Sequence, residues 1–122
     1  MKILIVDDSS AMRSLISRTL RKAGYEEHLF QEANSVAEAM RFLKDSPPDL
    51  IISDWNMPQM SGLALLQMVR KENPKIKFGF VTSEAETEMQ QKAIALGALF
   101  MITKPFTVEA FQKALGPLIS EE

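Results

Sequence analysis

The stretch LIISDWNMPQMSG, Leu50–Gly62, runs from an apolar segment into a carboxylate and then into turn formers. Leu50, Ile51 and Ile52 do not alternate with polar residues, which suits a strand covered on both faces, as in a parallel sheet. Asp54 stands where such a strand stops, and Pro58 and Gly62 punctuate the loop beyond it. A carboxylate at the end of a buried strand asks for a partner or a ligand.

Similar runs flank this one: ILIV (Ile3–Val6), FGFV (Phe78–Val81) and FMIT (Phe100–Thr103), with HLFQEA (His28–Ala33) as a weaker, edge-like strand. Helical patterns lie between them. Ser9 or Ser10 caps a helix with Met12, Leu15, Ile16, Thr19 and Leu20 on one face, ending at Gly24. Ser35 with Glu38, and Ser83 with Glu86, have the spacing of capping boxes. The first of these helices stops before Pro47 and Pro48, and the second at Leu96 before Gly97. Ser61 opens a helix that Asn73 and Pro74 close. A last helix starts near Thr107 and buries Val108, Phe111 and Leu115, with Gly116-Pro117 ending or kinking it. Strand and helix thus alternate five times, which implies right-handed crossovers and an α/β fold with helices on both faces of a parallel sheet. The flavodoxin-like, doubly wound order 2-1-3-4-5 is the expected solution.

The 122 residues fit one domain, 1–122, and a 46% hydrophobic content is enough for a core. There is no cysteine, so disulfides and thiolate metal sites are excluded and a reducing compartment is compatible. No leader or membrane-spanning run is expected, which points to the cytoplasm. A net charge of −2 without a basic stripe argues against nucleic acid as a partner.

Open parallel sheets bind ligands beyond the carboxyl ends of their strands. Asp7 and Asp8 end the first strand, Asp54 the third, Thr82 and Ser83 the fourth, and Lys104 the fifth. Taken singly, each has a plainer explanation. Asp7 and Asp8 suit a charged helix start, Asp54 a turn, Thr82 and Ser83 a helix cap, and Lys104 a solvated loop. Together they would converge on one end of the sheet. Three crowded carboxylates repel unless a cation joins them, and an all-oxygen set favours Mg²⁺. An ammonium and a hydroxyl beside them suit phosphoryl transfer, with Asp54 as nucleophile, Asp7 and Asp8 on the metal, and Lys104 and Thr82 on the transferred group.

The segments ILIVDDSSAMR, DWNMPQMSG, VTSEA and ITKPF, in that order and spacing, resemble the receiver domain of two-component response regulators, most closely the stand-alone CheY type of bacterial chemotaxis. The resemblance covers Met1 to about Leu118. It implies phosphorylation of Asp54 by a sensor histidine kinase. Mg²⁺ would be bound through Asp8, Asp54 and the backbone carbonyl of Asn56, with Asp7 acting through water. It also implies a cis peptide before Pro105 that orients Lys104, and movement of Thr82 toward the phosphoryl group. Asn56 and Glu84 would flank the path of water, while small Ser83 leaves the entrance open. Such a chain is not an enzyme in the ordinary sense, although it assists its own phosphorylation and dephosphorylation.

One position departs from the family pattern. The switch aromatic, three residues before the lysine, is here Met101, and Phe100 would face the other way. A thioether can still swing between buried and exposed positions. The expected output is altered binding to a protein, with motor control through a flagellar switch protein as the leading case. The alternative is a single-domain phosphorelay intermediate or phosphate sink. A phosphatase acting on the same site is a further expected partner. Two other classes fit poorly. A Mg²⁺-dependent phosphatase with an aspartate nucleophile wants a second acid where Asn56 stands, and a flavodoxin-like electron carrier wants a first loop of neutral amides rather than Asp7-Asp8.

Overall fold

A computed structural model describes residues 1–84 and 86–119. Five strands, β1 Lys2–Val6, β2 Leu29–Ala33, β3 Leu50–Ser53, β4 Lys77–Thr82 and β5 Phe100–Thr103, alternate with five helices. The helices are α1 Ser10–Leu20, α2 Val36–Asp45, α3 Gly62–Glu72, α4 Thr87–Ala95 and α5 Val108–Ile119. All strand pairings are parallel, in the order β2-β1-β3-β4-β5.

The pleat sorts neighbouring side chains to opposite faces. Leu4, Val6, Ile51, Phe78 and Phe80 face α2 and α3, where they meet Val36, Leu65, Leu66 and Val69. Ile3, Ile5, Leu50, Ile52 and Val81 face α1 and α5, packing on Ile16, Leu20, Phe111 and Leu115. Each fully buried side chain of this kind contributes about 1.5–3 kcal/mol. The uninterrupted apolar runs therefore reflect two cores, one on each side of the sheet.

Three N-caps form as the sequence suggests: Ser9, Ser35 and Ser61 accept hydrogen bonds from the backbone N–H groups of Met12, Glu38 and Ala64. Gly24 closes the wide turn after α1 at φ 104°, a conformation that favours glycine.

Four local expectations are corrected. The Ser83/Glu86 capping box does not form: α4 begins at Thr87 without a side-chain cap, and the Glu84 N–H is bound by the Thr82 hydroxyl. Helix α5 runs through Gly116-Pro117 to Ile119, because Ile119 is buried on the same face as Leu115 and holds the last turn down. Leu15 is 43% exposed while Ser17 is buried, so the inner face of α1 centres on Ile16 and Leu20. β5 is an edge strand in which only Ile102 is buried; Phe100 and Met101 pack on opposite faces but stay partly exposed, so neither face is fully covered.

Candidate functional site

Register brings the acidic residues together. Val6 pairs with Ser53, Ser53 with Phe80 and Phe80 with Met101, so β1 and β3 end level. The Asp54 N–H donates to the Val6 carbonyl at 2.9 Å, and Asp7 donates to Ala33 at 3.1 Å. Carboxylate oxygens of Asp7, Asp8 and Asp54 consequently lie within 4.8 Å of one another. This donor set is all oxygen and close enough to share one hard cation, so it fits Mg²⁺.

The three carboxylates differ in setting. Asp7 is 2% exposed; its Oδ1 accepts from the Ser9 N–H at 2.9 Å and its Oδ2 from Lys104 Nζ at 3.3 Å. Asp8 is exposed. Asp54 is half-buried, accepts from the Trp55 N–H at 2.8 Å and faces Lys104 Nζ at 3.6 Å. Burial pushes the Asp54 carboxyl above its ordinary range; Lys104 opposes this, Asp7 adds to it, and the amides of Trp55 and Asn56 oppose it. One lysine thus offsets part of the repulsion among three acids, and a further positive charge would be bound favourably.

Lys104 is placed by its own backbone, whose N–H donates to the Thr82 carbonyl at 2.8 Å; the Lys104–Pro105 bond is cis. Thr82 is fully buried, whereas Asn56, Ser83 and Glu84 are exposed around the site. Trp55 is half-buried and packs on Phe80 with ring centroids 4.9 Å apart. Gly62 makes that loop possible: a Cβ there would stand 2.1 Å from the Asp54 carbonyl oxygen. Met101 borders the core shared with Trp55 and Phe80, and Phe100 packs on the opposite face.

Arg13 was not legible as part of this region. Its guanidinium donates to the Asp7 carbonyl at 2.6 Å and to Glu32 at 2.9 Å. Its sequence signals are its place one turn beyond the Ser9 cap and at the end of the ILIVDDSSAMR segment, and neither assigns it a contact.

The family model for the response regulator receiver domain matches residues 3–116. The chain belongs to that family. Among similar receivers, the probable chemotaxis protein CheY of Rhizobium etli is 37% identical over 117 residues, covering 93% of this chain and 88% of its own. Chemotaxis protein CheY-3 of Vibrio cholerae is 38% identical over 120 residues, covering 97% and 91%. The solved structure of Vibrio cholerae CheY4 superposes with a TM-score of 0.84 at 34% identity, over 97% of this chain and 98% of that one. The non-phosphorylated receiver domain of HemR from Leptospira biflexa gives 0.85 at 26% identity, over 98% and 94%. Since receivers of different name superpose equally well, the fold does not select an output. Among the described residues no helix is long and apolar enough to cross a membrane.

Proposed function

We propose that this receiver is a phosphorylation switch, with Asp54 as the acceptor of a phosphoryl group from a histidine kinase. The observation that carries the reading is the convergence of Asp7, Asp8 and Asp54 within 4.8 Å, with Lys104 Nζ 3.3 Å from Asp7 and 3.6 Å from Asp54. Asp7, Asp8, Asp54 and the Asn56 carbonyl would hold Mg²⁺, which when bound supplies positive charge to the equatorial oxygens of the transferred group.

The chain's own residues account for the rest. An Asp54 carboxylate oxygen attacks phosphorus; the new P–O bond forms as the P–N bond to the kinase imidazole breaks, and the imidazole leaves with the electron pair. Lys104 faces the reacting carboxylate and balances the charge that arrives. The Thr82 hydroxyl, held beside the site by Glu84 N–H, can turn its proton toward a phosphoryl oxygen. Asn56 and Glu84 border the approach of the water that later attacks phosphorus and regenerates the Asp54 carboxylate. Ser83 leaves that approach open. Met101 and the Lys104–Pro105 junction sit where a shift of Thr82 would be felt on β5.

This is a signalling domain rather than an enzyme, acting in the cytoplasm on a protein partner. Relatives named for chemotaxis, together with the Asn56/Glu84 pair, favour control of a flagellar motor switch protein. Met101 in place of the family's aromatic favours a second reading, a phosphorelay intermediate or phosphate sink. A titration of Trp55 fluorescence tests the switch itself. Mg²⁺ is expected to change the emission, and acetyl phosphate or beryllofluoride to change it again in wild type but not in Asp54→Asn. A second change that persists in Asp54→Asn would place the acceptor elsewhere.

A further inference from the structure

Arg13 has no part in the transfer described above, yet it reaches the backbone of the site. It lies in the first turn of α1, with its own N–H bound to the Ser9 carbonyl at 3.0 Å. The side chain is 15% exposed and turns back over the loop, giving Nη1–H to the Asp7 carbonyl at 2.6 Å and Nε–H to Glu32 Oε1 at 2.9 Å. Glu32 belongs to β2, and its neighbour Ala33 accepts the Asp7 N–H. The end of β1, the end of β2 and the first turn of α1 are therefore closed into one ring of hydrogen bonds.

Every polar group of Asp7 is engaged in that ring or beside it: N–H to Ala33, C=O from Arg13, Oδ1 from Ser9 and Oδ2 from Lys104. Asp8 is the opposite case. It is exposed, and among the described residues its carboxylate has no hydrogen-bond partner. What places Asp8 is the peptide plane that joins it to Asp7. The Asp7 carbonyl lies in that plane, and the bond from Arg13 is charge-assisted and strongly directional.

We propose that Arg13 is a positioning residue for the cation and phosphoryl site: it fixes the peptide that carries Asp8, and Glu32 fixes Arg13. Glu32 has a second effect, since a guanidinium paired with it is not drawn onto the carboxylates. Lysine cannot replace Arg13, because one ammonium lacks the planar fork that serves carbonyl and carboxylate together. Glutamine can replace Glu32, because its amide oxygen remains an acceptor.

The proposal rests on reading Asp7, Asp8 and Asp54 as a cation site, so its test has one arm without metal. In metal-free protein, backbone amide NMR of Arg13→Met and Arg13→Lys is expected to show displaced resonances and faster hydrogen exchange at Asp8 and Ser9. In the second arm, Mg²⁺ titrated against Trp55 fluorescence is expected to bind both variants about tenfold more weakly, as for other residues that orient a metal ligand. Glu32→Gln should stay near wild type in both arms. Glu32→Ala, at a half-exposed position, should shift the Asp8 amide and weaken Mg²⁺, and it carries the test where an Arg13 variant does not fold. Unchanged Asp8 amides and unchanged Mg²⁺ affinity, with only a lower unfolding midpoint, would reduce Arg13 to a structural brace and overturn the proposal. Wild type that ignores Mg²⁺ would overturn the cation reading alone, and the metal-free arm would still decide the role of Arg13.

Discussion

The ring of Phe100 occupies the space that a side chain at residue 79 would need: a Cβ on Gly79 would stand 2.1 Å from Phe100 Cζ. The two residues are register partners across β4 and β5. Gly79 therefore seats the aromatic on the α1/α5 face, which leaves Met101 as its counterpart on the other face. Gly79→Ala must push the ring off the sheet and is expected to cost about 1–3 kcal/mol in urea unfolding. Adding Phe100→Leu should recover part of that loss. An unchanged midpoint in the single variant would mean that the ring moves aside freely.

Arg70 holds the far end of α4. Its guanidinium donates to the carbonyls of Leu96 at 3.2 Å, Gly97 at 2.9 Å and Ile76 at 2.5 Å. Gly97, at φ 95°, leaves room for it: a Cβ there would lie 2.7 Å from Arg70 Nε. Because α4 has no side-chain cap at its start, this cation on the carbonyls of its C-cap Leu96 and the following Gly97 is the firmer anchor. Arg70→Met should destabilise the fold by about 2–4 kcal/mol, since partly buried carbonyls lose charge-assisted donors. Hydrogen exchange should rise first in α4. Equal protection of α4 in both proteins would contradict this.

The Asp54 carboxyl sets a pH dependence. Burial raises its folded value above the unfolded one. A group shifted upward contributes stability that is fully present below its unfolded value and is lost as pH rises through the folded value. Metal-free Asp54→Asn, which cannot ionise, is therefore expected to melt above wild type at neutral pH. The gap should close as pH falls below the ordinary carboxylate range. Adding Mg²⁺ at neutral pH should narrow it by stabilising wild type. A gap independent of both pH and Mg²⁺ would contradict an ionised, burial-strained Asp54.

Lys104 joins the acids to β5. Its ammonium lies 3.6 Å from Asp54, and its backbone is hydrogen-bonded to Thr82. On the proposed reading Asp54 is the acceptor and remains in Lys104→Met, so intact mass after treatment with acetyl phosphate should still show a phosphoryl adduct. The accompanying amide shifts in β5, Met101 included, should be lost. Full β5 shifts without the lysine would show that Thr82 alone carries the signal.

The strands and the acidic cluster were legible because each rests on a local pattern that parallel pairing then aligns. Ile3–Val6, Leu50–Ile52 and Phe78–Val81 are apolar without alternation, and once they lie level, Asp7 and Asp54 must meet. Phe100–Thr103 has the same composition at a sheet edge, where composition does not distinguish full cover from partial cover. Ser83 and Glu86 have capping-box spacing, but the Thr82 hydroxyl takes the Glu84 N–H and α4 starts later. Gly116-Pro117 reads as a stop or a kink, and it is not a stop: the helix continues past it to the buried Ile119. Arg13 and Arg70 were hidden for a different reason. Both act on backbone carbonyls, and no residue pattern records where a carbonyl points.

The most direct measurement is chemical trapping of the acyl phosphate: phosphodonor and Mg²⁺, then borohydride reduction and peptide sequencing by mass spectrometry. The expected result is a single reduced residue, Asp54, dependent on Mg²⁺ and absent from Asp54→Asn. Reduction at Asp7 or Asp8, or equal labelling without metal, would contradict the assignment of Asp54 as the residue that takes the phosphoryl group.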